Sequence, residues 1–361
     1  MQLPLHGSNP HYLYQSLKVT MPDSFYDFSA NINPLGPPAG LKEQWPSFFE
    51  SILEYPDPET RELTELAASM EHVSENSILF GNGGAELISL TARMLAGKNV
   101  LIIQPAFSEY AAACLANQCT ITNYILKEPE WKLDVEGLKP LIKNQDALYL
   151  CTPNNPTGMS YAKEDVLELL TACQKENCLV ILDEAFYDFV LDPFTYRTYL
   201  SRFANLIILR SMTKMFAMPG VRLGYLLAHP GIIDALQSFK PHWSVSSLAQ
   251  KAGSICLREI VHQKETVEYI EKQKRQLQSF YKTTGLVISQ SSVNFYLLRD
   301  PELDDTKYLL TYLLGKGIVP RHTYNFPGLD GKWLRFAVKG ERDHAVLMEE
   351  FTQWKKHRST L

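Results

Sequence analysis

Between about residues 75 and 230, short runs of consecutive apolar residues alternate with stretches whose apolar positions recur at helical spacing. The runs are "SILF", "NVLII", "CTITNYIL", "ALYLC", "CLVILD", "NLIILR" and "LGYLLA". Each is strand-sized and apolar on both faces. Helical periodicity lies between them, over Ala85–Leu95, Tyr110–Ala116, Val135–Ile142 and Lys163–Glu176. Strands that are apolar throughout and separated by helices predict an α/β architecture, with a mainly parallel sheet covered on both faces.

Past "PHWSVSSLAQ" the pattern changes. A long helical stretch is predicted from about Ser247 to Lys282, rich in Lys, Glu and Gln. Strand patterns follow at "LVIS", "NFYLLR", "GIVPR" and "WLRFAV", with helices at "DTKYLLTYLL" and "ERDHAVLMEEFTQWKK". This is the pattern of a smaller α+β domain. The reading divides the chain into a large domain over 41–245 and a small domain over 246–361. Residues 1–40, too few for a core of their own, are expected to pack at the junction.

Composition narrows the partners. The 361 residues carry 35 Lys+Arg against 40 Asp+Glu, a net charge of −5, with no basic run. Neither nucleic acid nor an anionic membrane is an expected partner. No apolar stretch approaches the length that spans a bilayer, and "MQLPLHGSNP" lacks the basic and apolar regions of a signal peptide. The six cysteines form no C-x-x-C and several lie in apolar runs, as expected of buried reduced thiols in the cytoplasm. The nine histidines show no metal-ligand spacing, so no metal site is expected.

In an open α/β sheet, ligands sit outside the carboxyl ends of the strands. The strand ends here deliver Gly81-Asn82-Gly83-Gly84, Gln104 to Phe107, Thr152 to Pro156, Asp183, and Ser211 to Lys214. Taken singly, each has a plain structural explanation: a tight turn, a helix cap, a core ring. Taken together they form a chemical set. Gly84 and Ala85 offer bare N–H groups at a helix N-terminus, which suits an anion. Lys214 stands in "RSMTKMFAMPGVRLGY", a largely apolar setting in which a lysine amine becomes a nucleophile toward carbonyls. Ser211 and Arg222 flank it as phosphate holders. Asp183 suits an acid that keeps a cationic ring nitrogen protonated. A carbonyl cofactor with a phosphate tail and a basic ring nitrogen is pyridoxal 5'-phosphate.

"RSMTKMFAMPGVRLGY", "TPNNPTG" and "LDEAFYDF", in that order, resemble three segments of the fold-type-I pyridoxal-phosphate enzymes. The likeness runs from about Asp27 to the C-terminus. It implies a large domain built on a mainly parallel seven-stranded sheet, and a homodimer. It also implies roles. Lys214 joins the cofactor, Asp183 faces its ring nitrogen, Asn155 its ring hydroxyl, and Phe107 stacks on the ring. Gly84, Ala85, Ser211 and Arg222 hold its phosphate, joined by Tyr55 of "EYPDP" reaching from the neighbouring subunit. Arg335 binds the substrate carboxylate, with Arg321 and His6 as further holders of anionic groups. One departure is Phe186, which stands where many members have a tyrosine that also bonds the ring hydroxyl. Within the superfamily "HGSN", "DFSANINPLGPP" and "PRHTYNFPGLDGKWLRFAV" resemble the L-threonine-O-3-phosphate decarboxylases of cobalamin assembly, although Thr323 stands where those often have cysteine. The alternative is the histidinol-phosphate aminotransferases or a related class I/II aminotransferase. The decarboxylases and the histidinol-phosphate aminotransferases imply a small phosphorylated substrate; a generalist aminotransferase would take amino acids without phosphate.

Overall fold

The computed structural model describes residues 3–358. In chain order its strands are β1 (Tyr26–Asp27), β2 (Ile78–Gly81), β3 (Asn99–Gln104), β4 (Thr120–Ile125), β5 (Ala147–Cys151), β6 (Leu179–Asp183), β7 (Leu206–Ser211), β8 (Gly224–Ala228), β9 (Val287–Ile288), β10 (Phe295–Arg299), β11 (Ile318–Val319), β12 (Arg321–His322) and β13 (Leu334–Ala337). The seven apolar runs form one sheet, in the order β2-β8-β7-β6-β5-β3-β4. Strands β3 to β7 pair in parallel, and β8 runs antiparallel to both its neighbours.

Helices cover both faces, so neighbouring strand residues enter different cores. Ile181 and Ile207 belong to one buried cluster; Val180, Leu182 and Ile208 belong to the other. That is why these strands carry no polar alternation. The second cluster continues without a break into the small domain, through Phe295, Leu309, Trp333 and Phe336.

The C-terminal part of the chain is built on the antiparallel sheet β12-β13-β10-β9. β1 pairs with β11 in parallel, and Phe28 extends the link by accepting from the Ala337 N–H at 2.8 Å. The chain from Ser29 to Asn33 then crosses toward β7's carboxyl end, where the Asn33 N–H donates to the Lys214 carbonyl at 3.1 Å.

The helical stretch predicted over Ser247–Lys282 is helical, but it is divided into two helices, Ser247–Cys256 and Ile260–Thr284. The first closes through i→i+3 bonds at Arg258 and Glu259, while the Arg258 guanidinium donates to the Ser254 carbonyl at 2.9 Å. These donors satisfy the terminal carbonyls that a continuing helix would have used. Helical composition runs straight through the break, which hides it from periodicity.

All six cysteines are free and buried. Four of them close helix ends. The Cys119 N–H donates to the Cys114 carbonyl at 3.0 Å after left-handed Gln118, and Cys178 to Cys173 at 2.9 Å after left-handed Asn177. Both are Schellman-type closures, with cysteines in place of the usual apolar pair.

Candidate active site

Strand register builds the first part of the site. Ser211 of β7 lies opposite Gly224 of β8, and Gly224 lies opposite Gly81 of β2. The helix Gly83–Met94 starts immediately after Gly81 and Asn82. Its first N–H groups therefore come to the same sheet edge as the Ser211 hydroxyl. Gly83 has φ +76°, and a Cβ there would meet Arg222 Nη2 at 2.6 Å. A Cβ on Gly84 would meet nothing within 4 Å. A guanidinium and the positive end of a helix thus border open space, which suits a bound anion. Arg222 itself sits in the left-handed region at φ 61°, unusual for a long side chain. The Glu86 carboxylate is occupied nearby by the Asn82 N–H at 2.6 Å and the Ser244 hydroxyl at 3.0 Å.

Lys214 lies in a four-residue helix, Met212–Met215, directly after β7. Burial brings its amine down to about 8; Arg335 and Arg222 push in the same direction and Asp183 opposes them. Asp183 ends β6 and is buried. Its carboxylate accepts from the Tyr110 hydroxyl and, at 2.8 Å, from the Ala185 N–H. Burial raises this carboxyl, while Tyr110, Ala185 and Lys214 pull against it. Tyr110 stacks on Tyr149 with centroids 5.0 Å apart and meets Phe107 edge-on at 5.9 Å.

The small domain brings two arginines. Arg321 of β12 and Arg335 of β13 are direct cross-strand partners, and both are buried. Arg335 donates to Asn155 Oδ1 and, at 2.8 Å, to the Ser29 carbonyl, while its Nε is buried with no partner. Arg321 donates to the carbonyls of His322 and Leu5 and to Asn325 Oδ1. Among the described residues, neither makes an ion pair with a carboxylate. Burial brings Arg335 down to about 9, with Arg321 adding to the effect, and brings Arg321 down to about 10.

His6 reaches the same region from the N-terminal segment. Its Nε2 lies 2.9 Å from Glu109, and its ring centroid is 5.9 Å from that of Phe107. At 49% side-chain exposure it is no core histidine. Arg321 is equally unlike a surface loop residue. Tyr55 stands outside the cluster, 81% exposed, its ring against Trp243.

Several residues of the site escaped sequence reasoning. Tyr110, the Asp183 partner, read as a helix start, and Glu109 as its neighbour. Behind the strand ends, Arg210 is buried 3.0 Å from Glu184 and 3.5 Å from Glu71, over the Tyr187 ring at 4.0 Å. Tyr187 is thus engaged by Arg210. Phe186 packs edge-on against Phe295 at 4.8 Å. A separate cavity of about 610 Å³, lined by Trp131, Tyr161 and Trp333 among others, contains none of the residues named for the cofactor or substrate. Among the described residues there is no group of three or more His, Cys, Asp or Glu side chains able to hold a metal ion, and no helix long and apolar enough to cross a membrane.

Known proteins share this arrangement. The family model "aminotransferase class I and II" matches residues 24–349. The threonine-phosphate decarboxylase of Salmonella typhimurium is 33% identical over 348 residues, covering 95% of this chain and 94% of that protein. A histidinol-phosphate aminotransferase of Desulfitobacterium hafniense is 34% identical over 338 residues, covering 89% of each. The crystal structure of the histidinol-phosphate aminotransferase from Clostridium acetobutylicum superposes with a TM-score of 0.87 at 28% identity, over 91% of this chain and 99% of that one. The seven-stranded sheet, its lysine-bearing edge and these likenesses agree: the chain belongs to the class I and II aminotransferase family of pyridoxal-phosphate enzymes.

Proposed function

We propose that the protein removes the carboxylate of L-threonine O-3-phosphate as CO₂, leaving (R)-1-amino-2-propanol O-2-phosphate, a building block of cobalamin. The observation that carries this reading is the arginine pair. Two like charges directly opposite on neighbouring strands repel, and their burial adds to the cost. A ligand with two anionic groups relieves both terms. L-threonine O-3-phosphate carries a carboxylate and a phosphate on one small frame. Histidinol phosphate carries its phosphate alone, and in that reaction a separate amino acceptor brings the carboxylates.

The cofactor residues fit their group. Gly84, Ala85, Ser211 and Arg222 would hold the phosphate, where the open space beside Gly84 leaves room for it. Asp183 would face the ring nitrogen, Asn155 the ring hydroxyl, and Phe107 the ring. With Phe186 in place of a tyrosine and Tyr187 held by Arg210, Asn155 is left as the principal donor to that hydroxyl. When bound, the cofactor supplies a cationic ring that accepts the electron pair of a bond broken at the substrate's Cα.

The residues of the chain decide which bond that is. Arg335 and Arg321, with His6, hold the two anions and so set the orientation of Cα. Asp183, its carboxylate fixed by Tyr110 and Ala185, keeps the proton of the ring nitrogen in place. Lys214, with an amine near 8, is able to deliver the proton that replaces the carboxylate at Cα. The buried walls exclude water from these transfers.

The active unit is proposed to be a homodimer in the cytoplasm, divided into domains at 41–245 and 246–361, with 1–40 at the junction. Trp45, Phe49, Ile52 and Leu53, exposed on one short helix just before Tyr55, form the apolar surface expected of such a contact. A substrate panel tests the activity. Purified enzyme with cofactor should consume L-threonine O-3-phosphate in preference to L-threonine, and in preference to histidinol phosphate offered with 2-oxoglutarate. Preference for the last pair would replace the reading with the aminotransferase.

A further inference from the structure

Residues 27–38, "DFSANINPLGPP", meet the site at the Ser29 carbonyl, which accepts from Arg335, but Asn33 has so far been given no role in it. Asn33 lies at its centre, buried, and its bonds converge on the segment that bears Lys214. The Asn33 N–H donates to the Lys214 carbonyl at 3.1 Å. Its side-chain Nδ2 donates to the Met215 carbonyl at 2.7 Å and to Thr266 Oγ1 at 2.7 Å, with His262 Nε2 at 3.2 Å. Its Oδ1 accepts from the Leu35 N–H at 2.9 Å, which holds the side chain in its turn.

The need for this is physical. Met212–Met215 is a four-residue helix; the Met218 and Ala217 N–H groups reach the Thr213 and Lys214 carbonyls at 3.1 and 3.3 Å, but four positions past Met215 stands Pro219, which has no N–H to give. Met215 is buried, so an unpaired carbonyl there carries the full desolvation cost. Asn33 is the outside donor for two consecutive carbonyls, that of Lys214 and that of the residue after it. Thr266 belongs to the long helix Ile260–Thr284, so the same amide ties the lysine segment to the small domain. We infer that Asn33 is a positioning residue for Lys214: it fixes the backbone from which the amine projects and so sets the distance of the amine from Asp183, Arg222 and Arg335.

This inference rests on the reading of Lys214 as the reacting amine, and the test keeps the two apart. Asn33→Ala removes the side-chain donors; Asn33→Asp keeps an acceptor for Leu35 but cannot donate to Met215 when ionised. Three quantities are compared with the wild type: the pH midpoint of the visible band of the lysine-bound cofactor, amide exchange over residues 212–217 in cofactor-free protein, and exchange in β3 and β5 as a folding control. Both variants should move the midpoint by at least about half a unit, since the amine's charged neighbours act through its position. Exchange over 212–217 should quicken roughly tenfold, as expected when a local opening loses a hydrogen bond. β3 and β5 should be unchanged. A midpoint and a 212–217 exchange rate equal to the wild type in Asn33→Ala overturn the inference. Global loosening of β3 and β5 in both variants also overturns it, because Asn33 would then serve the whole fold. A wild-type protein with no visible band that borohydride fixes to Lys214 overturns the reading of Lys214, and the inference with it.

Discussion

Lys214 is held where an ammonium is disfavoured, and this has a stability consequence. The unfolded chain keeps that proton up to about 10.5, and the folded, cofactor-free protein only up to about 8. Across that window the unfolded state binds more protons, so stability rises with pH. Below pH 8 both states are protonated and the full cost of the buried charge remains. Lys214→Met should therefore stabilise the cofactor-free protein at pH 7, by on the order of 3 kcal/mol, with most of the gain lost by pH 10 and all of it above about 10.5. Urea unfolding at pH 7 and pH 10 measures it. The same variant should lack the visible band of lysine-bound cofactor and nearly all turnover. Asp183 and Lys214 drew notice in the sequence because a carboxylate ends an apolar strand and a lysine stands in a largely apolar stretch just past another. Tyr110 was not: nothing in "SEYAAACLA" marks a tyrosine whose hydroxyl meets a carboxylate 73 positions away.

Among elements, the register of neighbouring strands explains what single residues do not. It aligns Ser211 with Gly224 and Gly81, and it sets Arg321 against Arg335. Register depends on turns and packing, so the arginine doublet could not be read from spacing, although both arginines were named. Arg335→Met should cut kcat/KM for L-threonine O-3-phosphate by at least about tenfold, the worth of a charge-assisted bond, and leave cofactor affinity within about threefold. Steady-state kinetics beside a cofactor titration decides this. Behind the same strand ends, Arg210 joins Glu184 of the Asp183 strand end to Glu71, which also takes bonds from Arg197 at 2.7 Å and the Tyr225 hydroxyl at 2.6 Å. Arg210→Met should destabilise the fold by about 3–5 kcal/mol, because two buried carboxylates lose their shared cation. A shift in the urea midpoint at constant slope would register it. The break at Leu257–Glu259 was invisible for the opposite reason: capping there uses carbonyl geometry rather than a Gly or Pro signal.

Over the whole molecule, the apolar strands made the parallel sheet legible, and the change of pattern after residue 245 coincides with the passage to the antiparallel sheet β12-β13-β10-β9. The route of residues 26–33 was not legible, since a two-residue strand and two isolated buried asparagines, Asn31 and Asn33, carry little periodicity. That route links the small-domain sheet to the lysine segment, so domain position and amine position are mechanically joined. The exposed apolar helix Trp45–Leu53 belongs to this scale as well. In the proposed homodimer, Leu53→Glu should give a monomer by sedimentation. Under the role proposed for Tyr55 at the neighbouring subunit's phosphate site, it should also weaken cofactor binding about tenfold.

The most direct measurement follows the carboxyl carbon. L-threonine O-3-phosphate labelled at the carboxylate is given to the cofactor-loaded enzyme with no amino acceptor present. The account predicts labelled CO₂ equal to the substrate consumed, over many turnovers and with no keto acid. Label retained in the amino acid or in a keto acid, with turnover only after 2-oxoglutarate is added, would contradict it.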